Sequence, residues 1–125
     1  RLLTLYTLQL IIKRFKDEVS PLTASEISEE LDLPILTISE IIADLIAAKI
    51  IAPTKEKEDD DDFSYLPARD TEKLTTLYVI QLLERDGVNA LNMDDTPLLK
   101  QLENAITGLM KAGENSEYNL LLKRV

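Results

Sequence analysis

Two predicted helices joined by a short turn, within residues 21–53, constrain the fold more than any other part of this chain. Thr23 and Glu26 have the spacing of a capping box, in which each side chain accepts a hydrogen bond from the other residue's backbone amide. This pattern predicts a helix over 24–31. Asp32 tolerates a left-handed backbone at the following turn, and Pro34 fits the first turn of a second helix over 35–49. We therefore expect a helix-turn-helix unit.

A hydrophobic first helix and a hairpin complete this unit. Apolar side chains recur at steps of three and four residues before Asp17, which predicts an amphipathic helix that ends near that residue. Pro21 then breaks the helix, and Leu22 begins a short extended segment. Strands over 50–55 and 63–67 should form the hairpin. The apolar stripe of the first helix is wide, which leaves two interpretations open: an ordinary core helix, or one also covered by a dimer partner or another domain. Its members are Leu2, Leu3, Leu5, Tyr6, Leu8, Leu10, Ile11, Ile12 and Phe15.

Two further helices are expected after the hairpin. Thr75 or Thr76 caps the first, which turns Leu77, Val79, Ile80 and Leu83 inward, and we expect Gly87 to end it. Thr96 caps and Pro97 opens the second. Its apolar stripe should pack on the preceding domain or across a dimer partner, and it comprises Leu98, Leu102, Ala105, Ile106, Leu109 and Met110, with the helix ending at Gly113.

The second helix of the central unit lacks the side chains that read DNA bases. Its core face is expected to be Ile38, Ile41, Ile42 and Leu45. The outward positions are Leu36, Thr37, Ser39, Glu40, Ala43, Asp44 and Ala47. None of these is Arg, Lys, Asn or Gln, the residues that make bidentate contacts to guanine or adenine. We interpret Leu36, Glu40, Ala43 and Asp44 as part of a protein-contact surface.

The loop of the hairpin is acidic. Residues 55–62 hold two lysines against six carboxylates, a local charge of −4. Four interpretations are open: a solvated loop, a docking site for a basic partner, a divalent-cation site, and a guard that repels phosphate. Because blocks of like charge repel themselves, the solvated loop is favoured. The spacing of a calcium-binding loop is absent.

The residue inventory argues against catalysis. The chain has no Cys and no His, which excludes disulfides and thiolate ligands and removes the commonest general base. The acidic runs 59–62 and 94–95 have no second cluster that the sequence places beside them. We therefore expect no enzyme activity, no cofactor and no bound metal. The net charge of −9 also argues against a nucleic-acid partner.

The order of these elements resembles two families. Over 1–87, the stretch LTASEISEELDLPILTISEIIADLIAAKII, a hairpin and YLPARDTEKLTTLYVIQLLE are similar to the winged-helix module of iron-sulfur-type transcriptional regulators. Those regulators hold their cluster through cysteines that this chain lacks, so no cluster is implied. The chain also resembles the C-terminal cytoplasmic winged helix of YihY/BrkB-type, ribonuclease BN-like membrane proteins, including the closing YNLLLKRV.

The second resemblance implies a domain at the cytoplasmic face of a protein integral to the inner membrane. A first residue, Arg1, that is not methionine agrees with a missing N-terminal region. The expected fold class is mainly α with a small β-hairpin: a winged helix-turn-helix domain over 1–87 and a C-terminal helical extension over 88–125. The closing residues 120–124 are either a docking tail or a final helical turn on the core.

Two functions of different classes follow. The first is a non-catalytic interaction or regulatory domain that binds another protein or a second copy of itself. The alternative is a dimeric winged-helix DNA-binding transcriptional regulator, in which the basic first helix meets the DNA backbone through Lys13, Arg14 and Lys16.

Overall fold

The computed structural model describes residues 1–58, 61–91 and 96–125, with the side chains of 87–91 left out. It is mainly helical with one two-stranded antiparallel sheet, as the sequence predicts. The elements are α1 (Leu2–Lys16), α2 (Ala24–Leu31), α3 (Ile35–Ala47), β1 (Ile51–Thr54), β2 (Ser64–Pro67), α4 (Thr76–Leu91) and α5 (Pro97–Gly113), with 3-10 turns at Thr71–Lys73 and Leu122–Arg124.

The start of α2 joins the helix-turn-helix to the hairpin. Thr23 Oγ1 accepts from the Glu26 amide at 3.2 Å, and Glu26 Oε1 accepts from the Thr23 amide at 3.0 Å, which confirms the capping box. Thr23 also forms an antiparallel bridge with Ser64, the first residue of β2. The extended segment predicted after Pro21 therefore lies beside the hairpin as a third short edge.

Helices α1, α2 and α3 end in the same kind of turn. Each turn contains a residue with a left-handed backbone: Asp32, directly after α2, has a φ of 53°, whereas Glu18 and Lys49, the second residues after α1 and α3, have φ of 56° and 60°. After α3 the amide of Ile50 reaches back to the Leu45 carbonyl at 2.9 Å, as in a Schellman motif. Asp32 is confirmed in its predicted role. The prediction that the second helix reaches residue 49 is wrong, because the left-handed Lys49 terminates it.

The hydrophobic core lies between α1, α3, the hairpin and the start of α4. The predicted inward stripe of α3 is confirmed, since all four of its members are buried. The buried apolar residues are Leu8, Ile11, Ile12, Ile27, Ile38, Ile41, Ile42, Leu45, Ala48, Ile50, Ile51, Leu74, Val79 and Leu122. Helix α1 is thus a core helix, but part of its wide stripe stays exposed, namely Leu2, Leu3, Tyr6 and Phe15.

The predicted end of the fourth helix at Gly87 is wrong. Helix α4 begins as predicted, with Thr75 Oγ1 accepting from the Tyr78 amide at 3.2 Å, but it continues past Gly87 to Leu91. A glycine within a helix costs only about 1 kcal/mol relative to alanine, which a continuing helix tolerates. The predicted boundary at 87/88 falls within α4. Helix α5 has no buried residue, and of its stripe only Ile106 and Met110 line a groove with α4. Packing of the stripe across a dimer partner, the other alternative, stays a prediction.

The last residues form a final helical turn on the core, which was one of the two interpretations of the sequence; the other was a docking tail. Leu122 is buried at 5% exposure, and its amide donates to the Leu74 carbonyl at 3.0 Å. Asn119 Oδ1 accepts from the Leu77 amide at 2.9 Å, so the tail caps the start of α4. On the other side, Gln9 of α1 donates to the Val125 carbonyl at 2.9 Å. The tail therefore connects α1 to α4.

Replacing Leu122 with alanine should lower the free energy of unfolding by about 2–5 kcal/mol, because a buried leucine leaves a cavity in the core. Leu120→Ala is the matched control, since Leu120 is 48% exposed and contributes mainly its backbone carbonyl. Chemical denaturation followed by circular dichroism measures both. Equal, small losses for the two variants would show that the tail does not hold the core together.

Candidate functional site

The outward face of α3 is exposed to solvent. Leu36 is 76% exposed, and Glu40, Ala43 and Asp44 are exposed beside it. Ala43 and Asp44 are adjacent, and the other separations are three, four, seven or eight residues, so the four positions share one side of the helix. The structure thus brings together all four residues that the sequence predicts for a contact surface. Ile35, at 44% exposure, extends the apolar end of this face and was not predicted.

The surroundings of this face are acidic. Residues 24–47 contain six carboxylates and no Lys or Arg, and all six carboxylates are exposed. They are Glu26, Glu29, Glu30, Asp32, Glu40 and Asp44. Because like charges on packed neighbouring helices add their fields, the helix-turn-helix unit repels polyanions and attracts cations.

The acidic hairpin loop carries further exposed negative charge. Glu56, Glu58, Asp61 and Asp62 are exposed, whereas Asp59 and Asp60 lie outside the described residues, as do Asp94 and Asp95. At the base of the loop, Lys55 Nζ lies 4.8 Å from the centre of the Phe63 ring, a cation–π contact across the hairpin. Asp61 and Asp62 share a shallow groove with Thr23 and Ser25, and the loop therefore lies beside the start of α2.

The position of Tyr65 in this groove shifts the pKa of its hydroxyl. Its ring, on β2, is partly buried and lines the groove together with Asp62. Burial raises the pKa of the Tyr65 hydroxyl above its ordinary value, and the negative charge of Asp62 raises that pKa further. Both effects disfavour the phenolate.

The basic residues of α1 are only partly available to a ligand. Lys13 is exposed, but the Arg14 guanidinium donates to the Ser20 carbonyl through Nε at 3.0 Å and Nη2 at 2.6 Å. Lys16 Nζ donates to the Lys123 carbonyl at 3.3 Å. Two of the three cations predicted for the DNA-binding alternative thus hold the chain's own backbone where α1 ends.

Arg69 positions α3 and could not be predicted from the sequence. Its Nε donates to the Lys49 carbonyl at 3.1 Å, just after α3, where a cation complements the helix dipole. Its Nη1 donates to the Tyr78 hydroxyl at 3.3 Å, and the guanidinium lies 5.9 Å from the centre of that ring. Arg69 therefore fastens the end of α3 to α4. No local pattern marks it, because its partner carbonyl is 20 residues away.

Other chemistry finds little support in the described part of the chain. There, no three His, Cys, Asp or Glu side chains converge as a metal ion requires. Within the same residues, no helix has the combination of length and hydropathy needed to cross a bilayer.

Comparison with known proteins adds no assignment. No protein-family model, no curated protein and no solved structure matches this chain.

Replacing Asp62 with asparagine should lower the pKa of Tyr65 but leave it above the ordinary value, because burial, the larger cause, remains. The raised pKa belongs to the folded state, so the free energy of unfolding falls as the pH rises from about 10, the ordinary value, through the raised pKa. In Asp62→Asn this pH range should be narrower, because the folded-state pKa is closer to the ordinary value. Ultraviolet titration of tyrosinate measures the shift, with Tyr65→Phe assigning the transition. An unchanged midpoint in Asp62→Asn would contradict the proximity of the two groups.

Proposed function

We propose that this chain is a non-catalytic winged-helix domain that acts in protein interaction or regulation, with the outward face of α3 as its contact surface. The order of three helices followed by a hairpin supports this frame. So does the bridge between Thr23 and Ser64, because it adds a short third edge to the sheet. In DNA-binding members of this architecture, the helix equivalent to α3 reads the bases.

The observation that carries the proposal is the pairing of exposed apolar and acidic side chains on α3. Leu36 offers an apolar anchor, and burying a leucine fully contributes roughly 1.5–3 kcal/mol. Glu40 and Asp44 follow it by one and two turns and accept hydrogen bonds but donate none. The complementary partner is a cationic amphipathic segment, whose apolar side covers Leu36 while its Lys or Arg residues meet the carboxylates.

The same chemistry opposes the DNA-binding alternative. A protein gains most of its affinity for DNA by neutralising phosphates with Lys and Arg, and α2 and α3 supply none. Of the three cations predicted to meet DNA, Arg14 and Lys16 donate to backbone carbonyls, whereas Lys13 is exposed and makes no side-chain hydrogen bond to the described residues.

We further propose that the domain is the cytoplasmic part of a YihY/BrkB-type membrane protein. The ground is the resemblance in element order and in the closing YNLLLKRV. The structure gives that closing segment a role in stabilising the domain itself, through the buried Leu122.

A charge-reversal experiment tests the contact surface. Binding of a fluorescent cationic amphipathic peptide of Lys and Leu should weaken about tenfold in the Glu40→Lys, Asp44→Lys double variant, since two favourable charge contacts become repulsive. The matched control is Glu114→Lys, Glu117→Lys, which adds the same charge at exposed positions beyond α5. Fluorescence anisotropy measures both.

Two outcomes would contradict the proposal. Equal weakening in both double variants would mean that the peptide senses net charge rather than α3. Tight binding of a DNA duplex at about 0.15 M salt, lost on Lys13→Glu, would favour the regulator instead.

A further inference from the structure

Helix α5 exposes an apolar side that its own domain leaves uncovered. Leu98, Leu102 and Leu109 are 64%, 53% and 76% exposed. A Cβ built at Gly113 would lie 3.4 Å from Leu77 of α4, whereas one built at Gly108 meets nothing within 4 Å. The domain therefore touches α5 along one side only, and the leucines lie on another.

The exposed side follows a strict spacing. Leu98, Leu102, Ala105, Leu109 and Ala112 are separated by steps of four, three, four and three residues. We call these five residues the α5 seam. This repeat averages 3.5 residues and is the spacing by which two helices interlock their side chains along a common line. Amphipathic helices that pack on a core share these steps, and the exposure of Leu98, Leu102 and Leu109 is what distinguishes this side of α5 from a core face.

We propose that the α5 seam pairs antiparallel with the α5 seam of a second copy of this chain. In the matching register, Leu98 lies opposite Leu109 of the second copy, and Leu102 lies opposite Ala105 of the second copy. The layers formed by Leu98, Leu102, Ala105 and Leu109 then hold either two leucines or one leucine and one alanine, and Ala112 lies past the first residue of the second copy's helix. The charged residues Lys100, Glu103 and Lys111 lie off the seam, so no like charges meet across it.

Side-chain size selects the antiparallel arrangement. In a parallel pair each residue meets its own copy, so Ala105 and Ala112 would form layers of two small side chains with unfilled space between the helices. The antiparallel register instead places a leucine opposite Ala105, and Ala112 lies past the start of the second copy's helix, where it forms no layer. It also sets the dipoles of the two helices in opposition, which is the favourable direction.

The charge of the chain argues against another occupant, an anionic lipid surface. The net charge of −9 opposes adsorption of α5 to such a surface. The five seam residues themselves are uncharged, so no seam side chain repels a second copy.

The size of the interface sets its strength. Stable complexes bury about 800 Å² on each partner over 20–30 residues. Helix α5 has 17 residues and offers one side of them. We therefore expect a reversible dimer whose dissociation constant is on the order of micromolar or weaker.

Sedimentation equilibrium over a concentration series tests the pairing. Leu109→Glu should raise the dimer dissociation constant at least about tenfold, because each copy loses a buried leucine and gains a buried charge. Val19→Glu is the control, since Val19 is also exposed, at 45%, but lies in the turn after α1, and it should leave the constant unchanged. Circular dichroism checks that both variants keep the wild-type helix content and melting temperature.

Cysteine pairing tests the register, because the chain has no cysteine of its own. An oxidised mixture of Leu98→Cys and Leu109→Cys chains should form a disulfide-linked heterodimer, whereas each variant alone should not cross-link. A disulfide in Leu98→Cys alone would overturn the antiparallel register. A chain that stays monomeric at millimolar concentration, or one that sediments with anionic phosphatidylserine vesicles as a monomer, would overturn the pairing itself.

Discussion

Burial of one side of α3 is the constraint on which the rest of the structure depends. Ile38 and Leu45 are fully buried, and the same helix contacts α1, α2, β1 and α4. Once this side is inside, the geometry of a helix leaves the opposite side facing solvent. The exposure of Leu36, Glu40 and Asp44 is therefore a consequence of the core. Any partner that binds them meets a rigid element, which is the favourable way to present a contact surface.

Local sequence patterns predicted the parts of the fold whose interactions are local. The capping box at Thr23, the left-handed turn at Asp32 and the inward stripe of α3 each depend on residues a few positions apart. All three are confirmed, and of the seven outward positions predicted on α3 all are exposed except Thr37, which is partly buried. The end of α4 was predicted wrongly, because a single glycine, Gly87, does not end a helix whose neighbouring residues continue it to Leu91.

Long-range contacts account for what the sequence could not show. Arg69 reaches across 20 residues to the end of α3, and Gln9 reaches across 116 residues to Val125. Neither contact has a local signature, yet each fastens two elements of the core together. For the same reason, the sequence predicted Arg14 and Lys16 as free cations, although both serve backbone carbonyls near the end of α1. The number of charged residues can be counted from a sequence, but the groups that their side chains bind are known only from the folded structure.

The described residues present two separate surfaces, an acidic one on α3 and an apolar one on α5. The central proposal concerns the first surface: α3 contacts cationic protein segments and not DNA. Chemical-shift mapping of the ¹⁵N-labelled chain at about 0.15 M salt tests it most directly. A cationic amphipathic peptide should shift the amides around Leu36, Glu40 and Asp44, and a DNA duplex should shift none of them. Shifts caused by the duplex along α3 or around Lys13, with none caused by the peptide on α3, would contradict the account.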